Sequence, residues 1–247
     1  MGRLESATQL RSCSDCPIRH RAVCARCEAV EFEQLEAIKY YRSYKAGQTM
    51  VWAGDHMEFV GSVVSGVANL TQTMEDGRTQ MVGLLLASDF IGRPGRDNVP
   101  FTVTAVSDVT LCCFRKRPFE DLLVRTPNVS QRLLEMSLDE LDAARDWMLL
   151  LGRKSAREKI SSLINIIARR NAVPGTTLKP RNIEVVLPMT REVMADYLGL
   201  TLETVSRQIS ALKRDGVIVL DGKRNIMVPD MGRLMSETGD DVDGALR

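Results

Sequence analysis

The stretch MTREVMADYLGLTLETVSRQISALKRDGVIVLDGKRNIMV, residues 189–228, decides the fold of the C-terminal part of this chain. Thr190 is placed to cap a helix running to Leu198, and Gly199 to end it in the left-handed conformation. Thr201 can cap a second helix through about Arg214. Two short helices joined by a glycine-containing turn form a helix-turn-helix. VIVLDGKRNIMV then reads as a hairpin around Asp221-Gly222, the wing of a winged helix. In the second helix Leu202, Val205, Ile209 and Leu212 share one face, the predicted buried one. Glu203, Ser206, Arg207 and Ser210 fall on the other.

The first residues of a recognition helix are those that reach base edges in the major groove. Arg207 suits a bidentate bond to guanine, Glu203 can accept from a cytosine amino group, and Ser206 can meet a base edge or a phosphate. An acidic group facing phosphates is costly unless it reads a base or orients the arginine, so Glu203 is informative. Arg191, Lys213, Arg214, Lys223 and Arg224 are candidate phosphate contacts, which position without specifying. The plain alternative is a surface helix with ordinary polar residues.

Charge follows the same division. Residues 153–228 hold fourteen Lys and Arg against seven Asp and Glu, a net +7, which leaves −6 for the rest of a chain of net charge +1. A basic segment beside an acidic one fits a nucleic-acid-binding domain joined to a sensor, and equally an ordinary solvated surface. No run of eighteen apolar residues and no signal-type N-terminus occurs, so a cytoplasmic protein off the membrane is expected. No nucleophile or acid–base constellation points to an enzyme; pairs such as Asp139-Glu140 read as helix solvation.

Working back toward the N-terminus, residues 155–171 form an amphipathic helix with Ile160, Leu163, Ile164 and Ile167 on one face. Residues 128–151 carry a heptad seam, Leu134, Ser137, Leu141, Ala144, Met148 and Leu151. Its partner is either the chain's own sheet or the same helix of a second subunit. Small Ser137 and Ala144 make such a seam weak, which suits a switchable dimer. Residues 45–118 are short pieces rich in Val, Thr and aromatics between turn signals, hence an antiparallel sandwich or roll. EFEQLEAIKYY, residues 31–41, reads as a short helix.

The first thirty residues hold Cys13, Cys16, Cys24 and Cys27, and no apolar periodicity to order them. Only Cys112 and Cys113 lie elsewhere, and in a strand only one of those can face the arm. Clustered thiols in a reducing compartment bind metal or do redox work more often than they form disulfides. Spacing alone leaves two readings open. Four soft thiolates suit an iron–sulfur cluster. Two C-x2-C pairs, Cys13/Cys16 and Cys24/Cys27, suit a compact zinc knuckle that would leave a DNA-binding regulator or scaffold with a different signal.

On these residues the chain resembles the CRP/FNR family of transcription regulators over essentially its whole length, and its FNR branch of FnrL/FnrN type most. Glu203, Ser206 and Arg207 match the E-x-x-S-R recognition pattern of FNR, and KAGQTMVWAGD matches the start of the family's β-roll. The resemblance implies an oxygen-sensing homodimer that binds double-stranded DNA at inverted TTGAT-type half-sites and meets RNA polymerase. It implies a [4Fe–4S] cluster held by Cys13, Cys16, Cys24 and, counting back from Pro127-Asn128, Cys112, with DNA released when oxygen destroys the cluster. The family's nucleotide-binding members carry G-E-L and R-S-A-like segments that DFIGRPGRDNVPFTVTAV lacks, and His20 and His56 are the only histidines for a haem. The expected architecture is α+β: a cysteine arm (1–30), a β-roll sensor domain (31–124), a dimerisation helix (125–152), a winged helix-turn-helix DNA-binding domain (153–230) and a flexible tail (231–247).

Overall fold

A computed structural model describes residues 13–171, 181–222 and 224–240. The chain divides into two compact units, residues 1–140 and 141–247, and the division falls inside the long helix rather than at its ends.

The first unit runs α1 (Ala29–Ile38), β1 (Lys39–Tyr44), β2 (Thr49–Val51), β3 (Phe59–Ser65), β4 (Ala68–Thr73), β5 (Thr79–Leu85), β6 (Phe90–Ile91), β7 (Thr102–Ala105), β8 (Val109–Arg115) and α2 (Lys116–Arg125). It ends within α3 (Pro127–Arg153), which continues into the second unit. Two antiparallel sheets, β1-β8-β3-β6 and β2-β7-β4-β5, form the expected roll. Alternation along the strands supplies its core: Val63, Leu70, Val103, Leu111 and Cys113 are buried together between the sheets. The opposite face of the first sheet presents Val60, Val64, Cys112 and Phe114 to a second core. There they meet Leu35 of α1, Phe119 and Leu122 of α2, and Val129 of α3. Gly61 lets β3 and β8 close up at Cys112, because a Cβ there would lie 2.5 Å from the Cys112 carbonyl oxygen.

Two expectations change here. The helix expected over 31–41 is shorter and shifted. A capping box starts α1 early, with the Glu28 N–H donating to Glu31 Oε2 at 3.0 Å, and Lys39, Tyr40 and Tyr41 join β1. Residues with β-favouring aromatic side chains pair with β8 once that edge is available. The arm is also not without apolar support: Ile18, Ala22 and Val23 are buried in the second core. They sit on successive turns, not on one helix, so a periodicity scan misses them.

The second unit holds the rest of α3, then α4 (Ala156–Asn171), β9 (Arg181–Val186), α5 (Arg191–Leu198), α6 (Leu202–Arg214), β10 (Val219–Asp221), β11 (Asn225–Asp230) and α7 (Met231–Ser236). The strands form one antiparallel sheet, β10-β11-β9. The capping chemistry is as the sequence predicts. Thr190 Oγ1 accepts from the Val193 N–H at 3.4 Å, and Thr201 Oγ1 from the Thr204 N–H at 3.2 Å. Gly199 ends α5 at φ 59°. Ile160, Ile164, Met194, Leu198, Val205, Ile209 and Leu212 are buried, each contributing about 1.5–3 kcal/mol by leaving water.

Leu202 does not join that face and is 44 % exposed. Helical side chains lean toward the N-terminus, so a residue at the first position leans past the end of its own helix. The expected flexible tail is also partly folded. Asp230 caps α7 through the Gly232 N–H at 2.8 Å, and Met231 and Leu234 are buried. Beyond it Glu237 pairs with Arg157 at 2.6 Å, and Asp240 with Lys154. Two apolar anchors in an acidic stretch give too weak a sequence signal to separate this segment from a loose end. Residues 241–247 lie outside the described residues.

Candidate metal centre and nucleic-acid interface

The arm folds as a chain of turns, with hydrogen bonds from the Cys16 N–H to the Cys13 carbonyl, Arg19 to Cys16, Ala22 to Ile18 and Cys27 to Cys24. This lays it over the outer face of β8. Four thiols, those of Cys13, Cys16, Cys24 and Cys112, line one small apolar void together with Ile18, Ala22, Val23, Phe32, Leu35, Tyr41, Ser62 and Phe114. Cys27 packs against the same core but does not line the void. Cys113 points the other way, into the roll.

The surroundings of the void are chemically distinctive. Lys39 Nζ, with its side chain only 9 % exposed, donates to Cys13 Sγ at 3.0 Å and to Glu36 Oε1 at 2.9 Å. The same carboxylate accepts from the Cys13 N–H at 3.0 Å. Burial raises the Cys24 pKa to about 11, and the nearby Cys16 and Cys13 thiols add to the rise. Burial likewise raises Cys112 well above the ordinary thiol value, reinforced by Cys13, Cys16 and Cys24. Two hydroxyls in the lining, Tyr41 Oη and Ser62 Oγ, are buried without a hydrogen-bond partner.

A single tetrahedral zinc, about 2.3 Å from each sulfur, needs its sulfurs within roughly 4 Å of one another. Among the described residues no three Cys, His, Asp or Glu side chains stand close enough to hold one ion. The donor set around the void is instead four soft thiols spread around a hollow with unpaired hydroxyls, a composition that fits a group carrying several irons, one for each thiolate.

Three contacts join this region to the start of α3. Arg132 donates to the Arg21 carbonyl at 2.6 Å, Arg26 pairs with Glu135 at 2.7 Å, and Asn128 Nδ2 donates to Glu31 Oε2 at 3.0 Å. Along α3, Leu134 (61 % exposed), Leu141 (46 %) and Met148 (64 %) form an open apolar stripe, with Ala144 exposed between them. Leu138 and Leu149, which the heptad reading omits, widen it. At the end of the seam Leu151 is half-buried, and the neighbouring Leu150 is buried.

In the second unit Glu203 and Arg207 are exposed on α6 and Ser206 is half-buried beside them. Lys213, Arg214 and Arg224 are exposed and Arg191 half-exposed. Arg214 is already engaged, pairing with Asp215 at 3.4 Å. Lys223 lies outside the described residues. Sequence reading overlooked Arg157, whose guanidinium ties Asp215 at the end of α6 (2.8 Å) to Glu237 (2.6 Å).

A roll covered by a cysteine arm, followed by a winged helix-turn-helix with an exposed polar face on its second helix, defines a DNA-binding regulator of transcription. Residues 150–237 match the family of Crp-like helix-turn-helix domains, and residues 41–126 the family of cyclic nucleotide-binding domains. The chain is 66 % identical to the transcriptional activator protein FnrL of Cereibacter sphaeroides over 98 % of both chains. It is 39 % identical to the nitrogen fixation regulation protein FixK of Bradyrhizobium diazoefficiens over 84 % of this chain and 86 % of that protein. Among solved structures, FixK2 from Bradyrhizobium japonicum superposes with a TM-score of 0.73 at 30 % identity, covering 83 % of this chain and all of that one. The chain belongs to the CRP/FNR family, as a DNA-binding transcription regulator of the FNR/FixK type.

The roll's nucleotide-type loop is satisfied internally. The Gly95 N–H donates to Glu120 Oε1 at 2.7 Å, and Lys116 Nζ reaches Asp97 at 2.7 Å and the Arg96 carbonyl. A phosphate would have to displace a carboxylate from that backbone donor. No helix among the described residues is long and apolar enough to cross a membrane.

Proposed function

We propose that this protein is an oxygen-responsive regulator whose signal enters through a [4Fe–4S] cluster held by Cys13, Cys16, Cys24 and Cys112. The observation that carries this reading is that these four thiols, out of six, line a single void between the arm and β8. Bound there, the cluster supplies a bridge from arm to roll that oxygen destroys.

The chain's own residues carry the rest. Cys112, fixed in the middle of the sheet, is the rigid anchor; Cys13, Cys16 and Cys24 are brought to it by the turns of the arm. An arm pinned on both sides of Val23 holds Arg21 and Arg26 against Arg132 and Glu135, and so fixes the first turns of α3. A fixed α3 presents Leu134, Leu138, Leu141 and Met148 to the same helix of a second copy, removing from water a stripe that is otherwise costly to expose. The homodimer then offers two α6 helices about one DNA turn apart, roughly 34 Å, to an inverted repeat of TTGAT-type half-sites. Arg207 reads guanine, Glu203 reads cytosine or orients Arg207, Ser206 meets a base edge or phosphate, and Arg191, Lys213, Arg214, Lys223 and Arg224 hold the backbone. The dimer on DNA meets RNA polymerase. Loss of the cluster shifts the population away from the dimer-competent state, provided the cluster binds that state more tightly.

The test is anisotropy of a labelled duplex carrying the inverted repeat, titrated with anaerobically prepared protein before and after air. Tight binding without oxygen and a loss of at least about tenfold after air, with sedimentation changing from dimer toward monomer, is expected. Equal binding in both conditions would reject the oxygen-linked step while leaving the DNA-binding class intact.

A further inference from the structure

Cys112 lies on β8 between two other strands, and its neighbours there are polar. Tyr41 of β1 is its register partner on one side, and Ser62 of β3 on the other. Both face the void that Cys112 lines, and both hydroxyl oxygens are buried with no hydrogen-bond partner among the described residues. Ser62 is only 2 % exposed. Buried hydroxyls are nearly always satisfied, and two left unpaired side by side around one thiol point to an acceptor that the protein itself does not provide. Aromatic and aliphatic side chains make up the rest of the wall, so among the described residues the other side chains lining it that can accept are the four thiols.

We propose that Ser62 and Tyr41 are hydrogen-bond donors to the sulfur atoms at the Cys112 corner of the iron–sulfur group, and that they set how readily that group is oxidised. This rests on the cluster reading above. Donors to sulfur withdraw charge from the cluster and favour its more reduced form, raising the reduction potential. Lys39 would act in the same direction on Cys13, because its ammonium already donates to Cys13 Sγ. Ser62 and Tyr41 are positioning residues rather than ligands: neither offers a thiolate, and neither joins the arm to the roll. Their removal leaves the anchor in place and changes its environment.

The experiment uses full-length protein purified without oxygen, as wild type, Ser62→Ala, Tyr41→Phe, the double variant and Ser62→Thr. Iron and sulfide per chain, the reduction potential, and the rate of bleaching in air are read on each, with Fe–S stretching frequencies compared in H2O and D2O. The expected result is full iron and sulfide content in every variant, a lowered potential and severalfold faster bleaching in Ser62→Ala and Tyr41→Phe, and a larger change in the double variant. The D2O shift should shrink in the same order, and Ser62→Thr, which keeps the hydroxyl, should return close to wild type. Variants that keep the cluster, the potential, the bleaching rate and the D2O shift of wild type would overturn this inference alone. A wild-type protein that binds no iron would overturn it together with the cluster reading.

Discussion

In the winged helix four helix ends meet a partner from their own sequence: Thr190 and Thr201 at two N-termini, Gly199 at a C-terminus, Asp230 at the start of α7. In the arm the reverse holds. Its turns are stapled by three small apolar side chains, its four ligand-type sulfurs face a hollow, and two hydroxyls beside that hollow are unpaired. The winged unit also carries two buried polar atoms without a partner among the described residues, Ser161 Oγ and Asn165 Oδ1 of α4. In the arm the unpaired hydroxyls instead border a hollow lined by four thiols. On the proposed reading, the second unit contacts DNA and the arm receives the signal.

The sharpest way to break the contrast is at Cys112. Cys112→Ala should abolish cluster retention and anaerobic DNA binding while leaving the far-UV circular dichroism of the winged unit unchanged. Cys27→Ala, in the same arm but not in the lining, should keep both; iron content and duplex anisotropy decide. If Cys27→Ala loses its metal while Cys112→Ala keeps it, the two-pair zinc knuckle regains the ground.

Next comes the seam. Leu141→Glu puts a charge on the exposed stripe of α3 and should convert the dimer to monomer in sedimentation, with DNA affinity falling by about a hundredfold because two half-sites are no longer read together. Iron per chain should not change. A smaller effect is expected at the base-reading face: Arg207→Ala should cost about 1–3 kcal/mol of binding and relax preference at one base pair of each half-site. Lys213→Ala should weaken all sequences alike and reduce the salt slope by about one.

The smallest effects lie in the winged unit. Thr201→Ala removes the cap of α6 and should lower stability by about 1 kcal/mol, read from the melting midpoint of the winged unit. The Arg157 guanidinium holds the Glu237 and Asp215 carboxyls below their ordinary values by hydrogen bonding. A carboxyl lowered in the folded state stabilises at pH above its unfolded value and loses that contribution as pH falls through the folded value. Melting of the winged unit should therefore decline as pH drops below about 4.5, and Arg157→Met should flatten that decline.

What the sequence made legible follows from range. Caps, the glycine stop and the roll's alternation are local, and each is found where the residues imply; β10 and β11 pair as the wing hairpin, with Asp221 at the end of β10 opposite Asn225. Leu202 and the length of α1 depart because tertiary partners decide burial at an element's end. The arm's staples, Ile18, Ala22 and Val23, have no period to detect, since they come from turns pressed on a sheet about ninety residues away in the chain. That only one of Cys112 and Cys113 faces the arm follows from strand alternation, but which one does depends on the β1–β8–β3 register. The hydroxyls of Tyr41 and Ser62 acquire meaning only through that same register.

The most direct measurement is metal and sulfide per chain in protein purified without oxygen, with the visible spectrum followed into air. About four irons and four acid-labile sulfides, with absorbance that bleaches in air, are predicted. One zinc per chain and no iron would contradict the central claim, making the arm a structural knuckle and moving the signal elsewhere.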